Sequence, residues 1–177
     1  MRIYTRTGDG GETELLGRKR GRKDHPLIVA RGELDELGSC LGLALSSFPA
    51  SEESSAPRKA LLRVQEELFR LGALLSARRA RTNWTGEATA RLESEIDAMS
   101  AGLPPLNRFL LPGGSPPGAA LHLARAVCRR AERALAGLGR NAPVGAVAYL
   151  NRLSDHLFVC ARWVNRRLKA TETLWTP

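Results

Sequence analysis

Three groups of residues in this chain are of types that handle phosphate anions. The first is Tyr4-Thr5-Arg6-Thr7-Gly8-Asp9-Gly10-Gly11-Glu12-Thr13. Glycine lets a backbone approach a ligand closely, and Thr hydroxyls with backbone N–H groups can hold phosphate oxygens. The segment is neither a GxxxxGK[ST] loop nor a strand-borne GxGxxG, so an ordinary Gly turn stays open as the alternative. A basic run follows it: Arg18, Lys19, Arg20, Arg22 and Lys23. Phosphate binding and plain solvation are both open for that run.

The second group is Arg125, Arg129 and Glu132, spaced 4 and 3, which share one face of a helix. Two arginines one turn apart repel mildly. An acid from another helix or subunit, or a phosphate, would offset that; a solvated arginine face is the alternative. Arg130 and Arg133 point elsewhere on this reading. The third group is Asn151, Asp155, Phe158 and Arg162, spaced 4-3-4. Asn and Asp are poor mid-helix residues, so the stripe implies either a buried polar network or a ligand.

Two further stretches complete the candidates. Glu33, Asp35 and Glu36 could supply an acid to an arginine of the second group, or form a solvated acidic face. The loop Asn107-Arg108-Phe109-Leu110-Leu111-Pro112-Gly113-Gly114-Ser115 could pack an apolar ligand or cap the core. His25, His122 and His156 lack metal-ligand spacing and read as structural, so no protein-ligated metal is expected.

Helices must position these groups. Asp24 and Pro26 read as helix-start chemistry. Leu34, Leu37, Leu41 and Ala44 then predict a helix over 26–47. Ser46 to Pro57 reads as a loop. Leu61, Val64, Leu68, Leu71 and Leu75 predict a second helix, and Leu92, Ile96 and Met99 a weaker third over 87–101. Gly102 to Gly118 holds five prolines and four glycines and must be irregular. Leu121, Ala124, Cys128, Ala131, Leu135 and Leu138 predict the fourth helix. Val147, Leu150, Leu157, Ala161, Val164 and Leu168 predict the fifth, over 144–168. Five amphipathic helices with no alternating strand pattern make an all-α helical bundle. The expected organisation is one domain over 1–177, with a mobile basic arm at 1–23 and a bundle at 24–170.

Composition bounds the rest. The chain has 177 residues, 43% hydrophobic but only 5% aromatic, which favours helices over a β-sandwich. A net charge of +9 favours anionic partners. The basic runs lack interleaved aromatics, which counts against nucleic acid. No apolar run reaches the ~18 residues of a membrane span, and no signal peptide is evident. Cys40, Cys128 and Cys160 form no CxxC pair and read as reduced core thiols of a cytoplasmic protein.

The segments YTRTGDGGET, RKDHP, GELDELGSCLGLA, FLLPGGSP, ARAVCRRAER and YLNRLSDHLFVCAR occur here in order. With them the chain resembles the PduO-type ATP:cob(I)alamin adenosyltransferases over nearly its whole length. The resemblance implies a five-helix bundle assembled as a homotrimer with intersubunit active sites. It implies transfer of the 5′-deoxyadenosyl group from MgATP to the cobalt of a reduced corrinoid, releasing triphosphate. By position, Thr5, Arg6, Thr7, Gly8, Asp9, Gly11 and Thr13 would wrap the polyphosphate, with Lys23 adding a contact. Arg129, Glu132, Asn151 and Arg133 would hold the nucleotide. Asp35 and Arg125 match an intersubunit salt bridge, and Phe109 the aromatic under the corrin ring that displaces its lower axial ligand. ATP, Mg²⁺ and cobalamin are the implied ligands. A cobalamin reductase or an adenosylcobalamin-dependent enzyme is a conceivable further partner. The chain has Gly10 where the family usually has Lys, His25 for a usual Asp, and Arg31 for a common aromatic. The rival expectation is a non-catalytic protein of the same fold that senses or delivers ATP or adenosylcobalamin.

Overall fold

The computed structural model describes residues 2–15, 20–50, 55–76, 84 and 86–176. Five helices dominate: α1 (Pro26–Ser47), α2 (Ser55–Ser76), α3 (Gly86–Ser100), α4 (Pro116–Gly137) and α5 (Ala146–Arg167). The ends of α1, α3 and α5 lie within two residues of the periodicity reading, the usual scatter of helix termini, whereas α2 and α4 each begin three residues inside the segments read as irregular, with prolines in their first turns. Helices α1 and α2 pack together, α1 packs on α4, α4 on α5, and α5 on α3.

The predicted apolar positions form the core. Leu37, Leu41, Leu61, Leu71, Leu92, Leu121, Leu135, Leu150 and Leu157 are fully buried. Each stabilises the fold by roughly 1.5–3 kcal/mol relative to exposure. Cys128 and Cys160 are buried free thiols, while Cys40 is only half-buried. Burial pushes the Cys160 thiol up to about 12, so it stays protonated.

Two expectations need correction. Residues of the arm include a short antiparallel pair, β1 (Glu12–Glu14) and β2 (Arg20–Arg22), with Thr13 opposite Gly21. Three-residue strands are too short to show an alternating pattern. Asp24 does not cap α1; it pairs with Arg22 at 2.6 Å. His25 is the cap: its Nδ1 accepts from the Leu27 N–H at 3.2 Å, with Pro26 opening the helix. The imidazole thus takes over a capping task usually given to Asp or Ser.

A buried ionic network ties α2, α3 and α5. Glu67, 5% exposed, accepts the Tyr149 hydroxyl at 2.8 Å and lies 3.4 Å from both Arg63 and Arg91. Arg63 also clasps Glu95 with two hydrogen bonds, 2.6 and 3.0 Å. His156 Nε2 meets the same carboxylate at 2.9 Å. Burial pushes the Glu95 carboxyl up, but the hydrogen bonds from His156 and Arg63 outweigh it and hold it at about 2.

Candidate active site

The glycine-rich arm folds on itself. Thr5 and Thr7 hydroxyls hydrogen-bond at 2.8 Å, Gly11 N–H reaches Gly8 C=O at 3.2 Å, and Arg20 donates to the Thr7 carbonyl. Arg6 and Gly11 hold positive φ, 62° and 81°. Gly11 needs its freedom there; Arg6 carries local strain. The Lys23 N–H donates to Gly11 C=O at 2.9 Å. A Cβ on Gly8 would stand 3.3 Å from Lys23 Nζ, so the ammonium lies against the turn. The structure therefore gathers Thr5, Arg6, Thr7, Gly8, Asp9, Gly11, Thr13 and Lys23 into one basic hairpin. Arg18 and Lys19 of the basic run lie outside the described residues. A cavity of about 410 Å³ separates the hairpin from the start of α1 and the end of α2.

The second cluster sits on the facing sides of α4 and α5. Asn151 Nδ2 donates to Glu132 Oε1 at 2.8 Å. The Arg125 guanidinium lies over the Phe158 ring, 5.6 Å from its centroid. Arg129 stands exposed one turn after Arg125, and Arg133 is exposed too. Among the described residues Arg125 has a cation–π contact and no ion pair with an acid.

Arg130 does not point idly elsewhere. It reaches α1, bonding Glu33 Oε2 at 2.5 Å and also Glu36. An acid of the first helix does meet an arginine of the fourth, through Arg130. Asp35 is exposed on α1. The polar stripe of α5 divides: Asp155 pairs with Arg152 at 2.7 Å, while buried Arg162 faces another partner altogether.

That partner is the Phe109 loop and the tail. Arg162 donates to the Pro104 carbonyl at 3.1 Å and lies 3.4 Å from Glu172. The tail pairs with the loop: Leu111 N–H to Thr173 C=O at 2.9 Å, Trp175 N–H to Phe109 C=O at 2.8 Å. Phe109 is 78% exposed and meets the Trp175 ring edge-on, 6.4 Å between centroids. The far end of the loop is pinned by Asn165, fully buried in α5. Its Oδ1 accepts from Ser115 N–H (2.9 Å) and Oγ (2.8 Å), and its Nδ2 donates to Gly113 C=O (3.1 Å). A Cβ at Gly114 or Gly118 would collide with Asn165, so both glycines are sterically required. The bracing roles of Asn165, Arg162 and Trp175 escape periodicity reasoning. An Asn on the apolar face of α5, beyond the Asn151 stripe, is the signal that could have found the first.

Among the described residues no hydrogen bond or ion pair joins the arm to α4. The arm, the α4–α5 face and the Phe109 loop make three surfaces, the last of them running directly into the α4 cap at Ser115. Among the described residues no helix is long and apolar enough to cross a membrane.

The cobalamin adenosyltransferase family matches residues 3–164, a stretch that contains all three surfaces. The chain belongs to the cobalamin adenosyltransferase family. It is 44% identical over 176 residues to the cobalamin adenosyltransferase of Cupriavidus metallidurans, covering 98% of this chain and 94% of that one. It is 42% identical over 174 residues to the corrinoid adenosyltransferase of Bacillus subtilis, covering 94% and 88%. A solved variant of the PduO-type ATP:corrinoid adenosyltransferase of Lactobacillus reuteri, complexed with cobalamin and ATP, superposes with a TM-score of 0.89. That pair is 32% identical and covers 98% of this chain and 96% of the other. This adenosyltransferase-family chain thus keeps both the arm and the α4–α5 face at full length.

Proposed function

We propose that this chain transfers the 5′-deoxyadenosyl group of ATP to the cobalt of cob(I)alamin or a related reduced corrinoid, giving adenosylcobalamin and triphosphate. One observation carries the reading: the family match spans the arm, the arginine face and the Phe109 loop together. The structural relative that superposes over 98% of the chain is complexed with both ATP and cobalamin.

The chemistry asks for what these residues offer. Cobalt(I) attacks the 5′-carbon, the C5′–O bond breaks, and its electron pair leaves on triphosphate. Growing negative charge on the leaving group is stabilised by preorganised cations and backbone donors. Arg129, Lys23 and Arg6, with the N–H groups of Gly8 and Gly10, supply them. Thr5, Thr7 and Thr13 would add hydroxyls. The Glu132–Asn151 pair holds the nucleoside end, with Arg133 at its edge. The corrinoid is its own nucleophile, so no side chain is needed as a base.

Mg²⁺ fits as the companion of ATP. The ion is ordinarily held by one or two carboxylates and substrate phosphates, and Asp9 and Glu132 would be the carboxylates to hold it. Bound there, it would neutralise part of the triphosphate charge.

The separation of the arm from α4 within one chain supports a trimer with sites between subunits. Asp35 of one subunit would then meet Arg125 of the next, and the arm would close over a neighbour's α4. Phe109, exposed and braced by Trp175, would press on the lower face of the corrin and displace its axial base, which makes cobalt(II) easier to reduce.

The test is an anaerobic assay with purified protein, MgATP and chemically reduced cobalamin, followed by absorbance as the cobalt–carbon bond forms. Catalytic formation of light-sensitive adenosylcobalamin with stoichiometric triphosphate is expected. Binding of ATP or adenosylcobalamin without turnover would overturn the enzymatic reading in favour of a sensor or delivery protein.

A further inference from the structure

The packing of α4 on α5 buries an imidazole that the proposed reaction does not use. His122, 5% exposed, stands three residues before Arg125 on α4. Its ring meets the Phe158 ring of α5 in an edge-type contact, 6.0 Å between centroids at 62°. The Arg125 guanidinium lies over that same Phe158 ring, 5.6 Å from its centroid. One aromatic side chain thus carries an imidazole and a guanidinium together.

Arginine has a long side chain with many rotamers, and Arg125 has no acid among the described residues to narrow them. The Phe158 ring gives it a direction, because the face of an aromatic ring attracts a cation. The tilt of that ring depends on what packs against it, and His122 is one of its neighbours. Ring shape and ring charge then act differently. Any flat ring at position 122 can keep the edge-type contact. A protonated imidazole would set a second cation one turn from Arg125, where like charges repel, and would compete for the same ring. The charged groups that act on His122 are Arg125 of its own helix and Glu172 of the tail, itself 3.4 Å from Arg162 of α5. Burial and then the Arg125 charge push the imidazole below its ordinary value, against the opposite pull of Glu172. The ring is neutral at pH 7.

We propose that His122 is a positioning residue for adenosyl transfer: as an uncharged ring it holds Phe158 in the tilt that presents its face to Arg125, and so aims the arginine assigned above to meet Asp35 of the partner subunit. The role rests on the adenosyltransferase reading; the stack of three side chains does not. Because His122 stands between Arg125 and the tail that braces the Phe109 loop, its effect falls on the corrinoid and not on ATP.

The test uses the full-length protein, saturating MgATP and chemically reduced cobalamin between pH 5 and 8. His122→Ala, which removes the ring, should raise the KM for the corrinoid at least fivefold at pH 8 and leave ATP affinity within twofold. His122→Phe, a flat ring that takes no proton, should restore that KM. In the unaltered protein kcat/KM for the corrinoid should fall about tenfold per pH unit below the His122 midpoint, a limb that His122→Phe lacks. Protonation of ATP and of the corrinoid affects both proteins alike. That midpoint is read separately by NMR: the chain has three histidines, and the imidazole signal missing from His122→Phe belongs to His122. It should lie below the ordinary imidazole value of about 6.5 and rise in Arg125→Met. Absence of turnover in the unaltered protein would remove the adenosyltransferase reading and the role with it. With turnover present, coincident pH profiles for the unaltered protein and His122→Phe, or a normal corrinoid KM in His122→Ala, would overturn the positioning role alone. If His122→Ala fails to fold, the two pH profiles and the titration still decide.

Discussion

Removing the Asn165 side chain should loosen the Phe109 loop and leave the arm and the Glu132–Asn151 pair untouched. Asn165→Ala deletes three hydrogen bonds: two accepted from Ser115 and one donated to Gly113. The Ser115 hydroxyl can still cap α4 through the Gly118 N–H at 3.2 Å. The Ser115 N–H and Gly113 C=O have no such substitute. Each orphaned buried backbone group costs about 1–3 kcal/mol, and water reaching the half-buried Gly113 places the sum near 2–4 kcal/mol. Such a loss is a large share of a typical stability of about 5–15 kcal/mol. Urea unfolding of Asn165→Ala should show it as a lower midpoint with an unchanged slope. In the folded variant the affinity for ATP should hold, while turnover with cob(II)alamin and a reductant should drop at least tenfold. A stability change under 0.5 kcal/mol, far below the orphaned-group cost, would refute this reasoning. So would a loss of ATP affinity equal to the loss of corrinoid turnover.

Arg129→Ala should cut kcat/KM by roughly 10²–10³, the usual cost of one transition-state donor, with circular dichroism unchanged; near-normal turnover would remove the phosphate role of α4. Phe109→Ala should leave ATP binding intact and slow adenosylation of cob(II)alamin far more than that of preformed cob(I)alamin, a contrast that two parallel assays check. Gly10→Lys should tighten ATP binding several-fold, because a Cβ at Gly10 meets nothing within 4 Å and its φ is not positive; weaker binding by calorimetry would count against the arm as the phosphate clamp. Acid should unfold the protein partly through Glu95. Its carboxyl is held at about 2 when folded against 4.5 when free, so its contribution is complete above pH 4.5 and is lost as pH falls toward 2. Glu95→Gln should flatten stability against pH across that window, read by thermal melts.

Helix number, order and length were legible because leucine spacing carries a 3.6-residue period regardless of tertiary context. The arm and the α4 face could be singled out because Thr, Gly and Arg, and Arg129 with Glu132, suggest a chemistry by type; their phosphate role is the proposal made above. What escaped depended on long-range partners. Whether Arg130 or Arg125, five residues and about 140° apart around α4, meets α1 rests on the rotation of α4 against α1, which periodicity does not resolve. His25 as a cap, and the three-residue strands, are local events too short for any periodic signal. The pairing of Thr173 and Trp175 with the Phe109 loop links segments some sixty residues apart, with nothing in either segment naming the other.

That last pairing has a consequence for how the protein is made. Synthesis runs from the N-terminus, and compact units form as they leave the ribosome. The arginine face of α4 and its Asn151 partner can assemble once α5 has emerged. The loop that bears Phe109 must wait for Thr173 and Trp175 before its backbone groups at Phe109 and Leu111 find partners. Shortening the tail by a few residues therefore acts at a distance: it leaves the α4–α5 surface whole and the Phe109 loop unfinished.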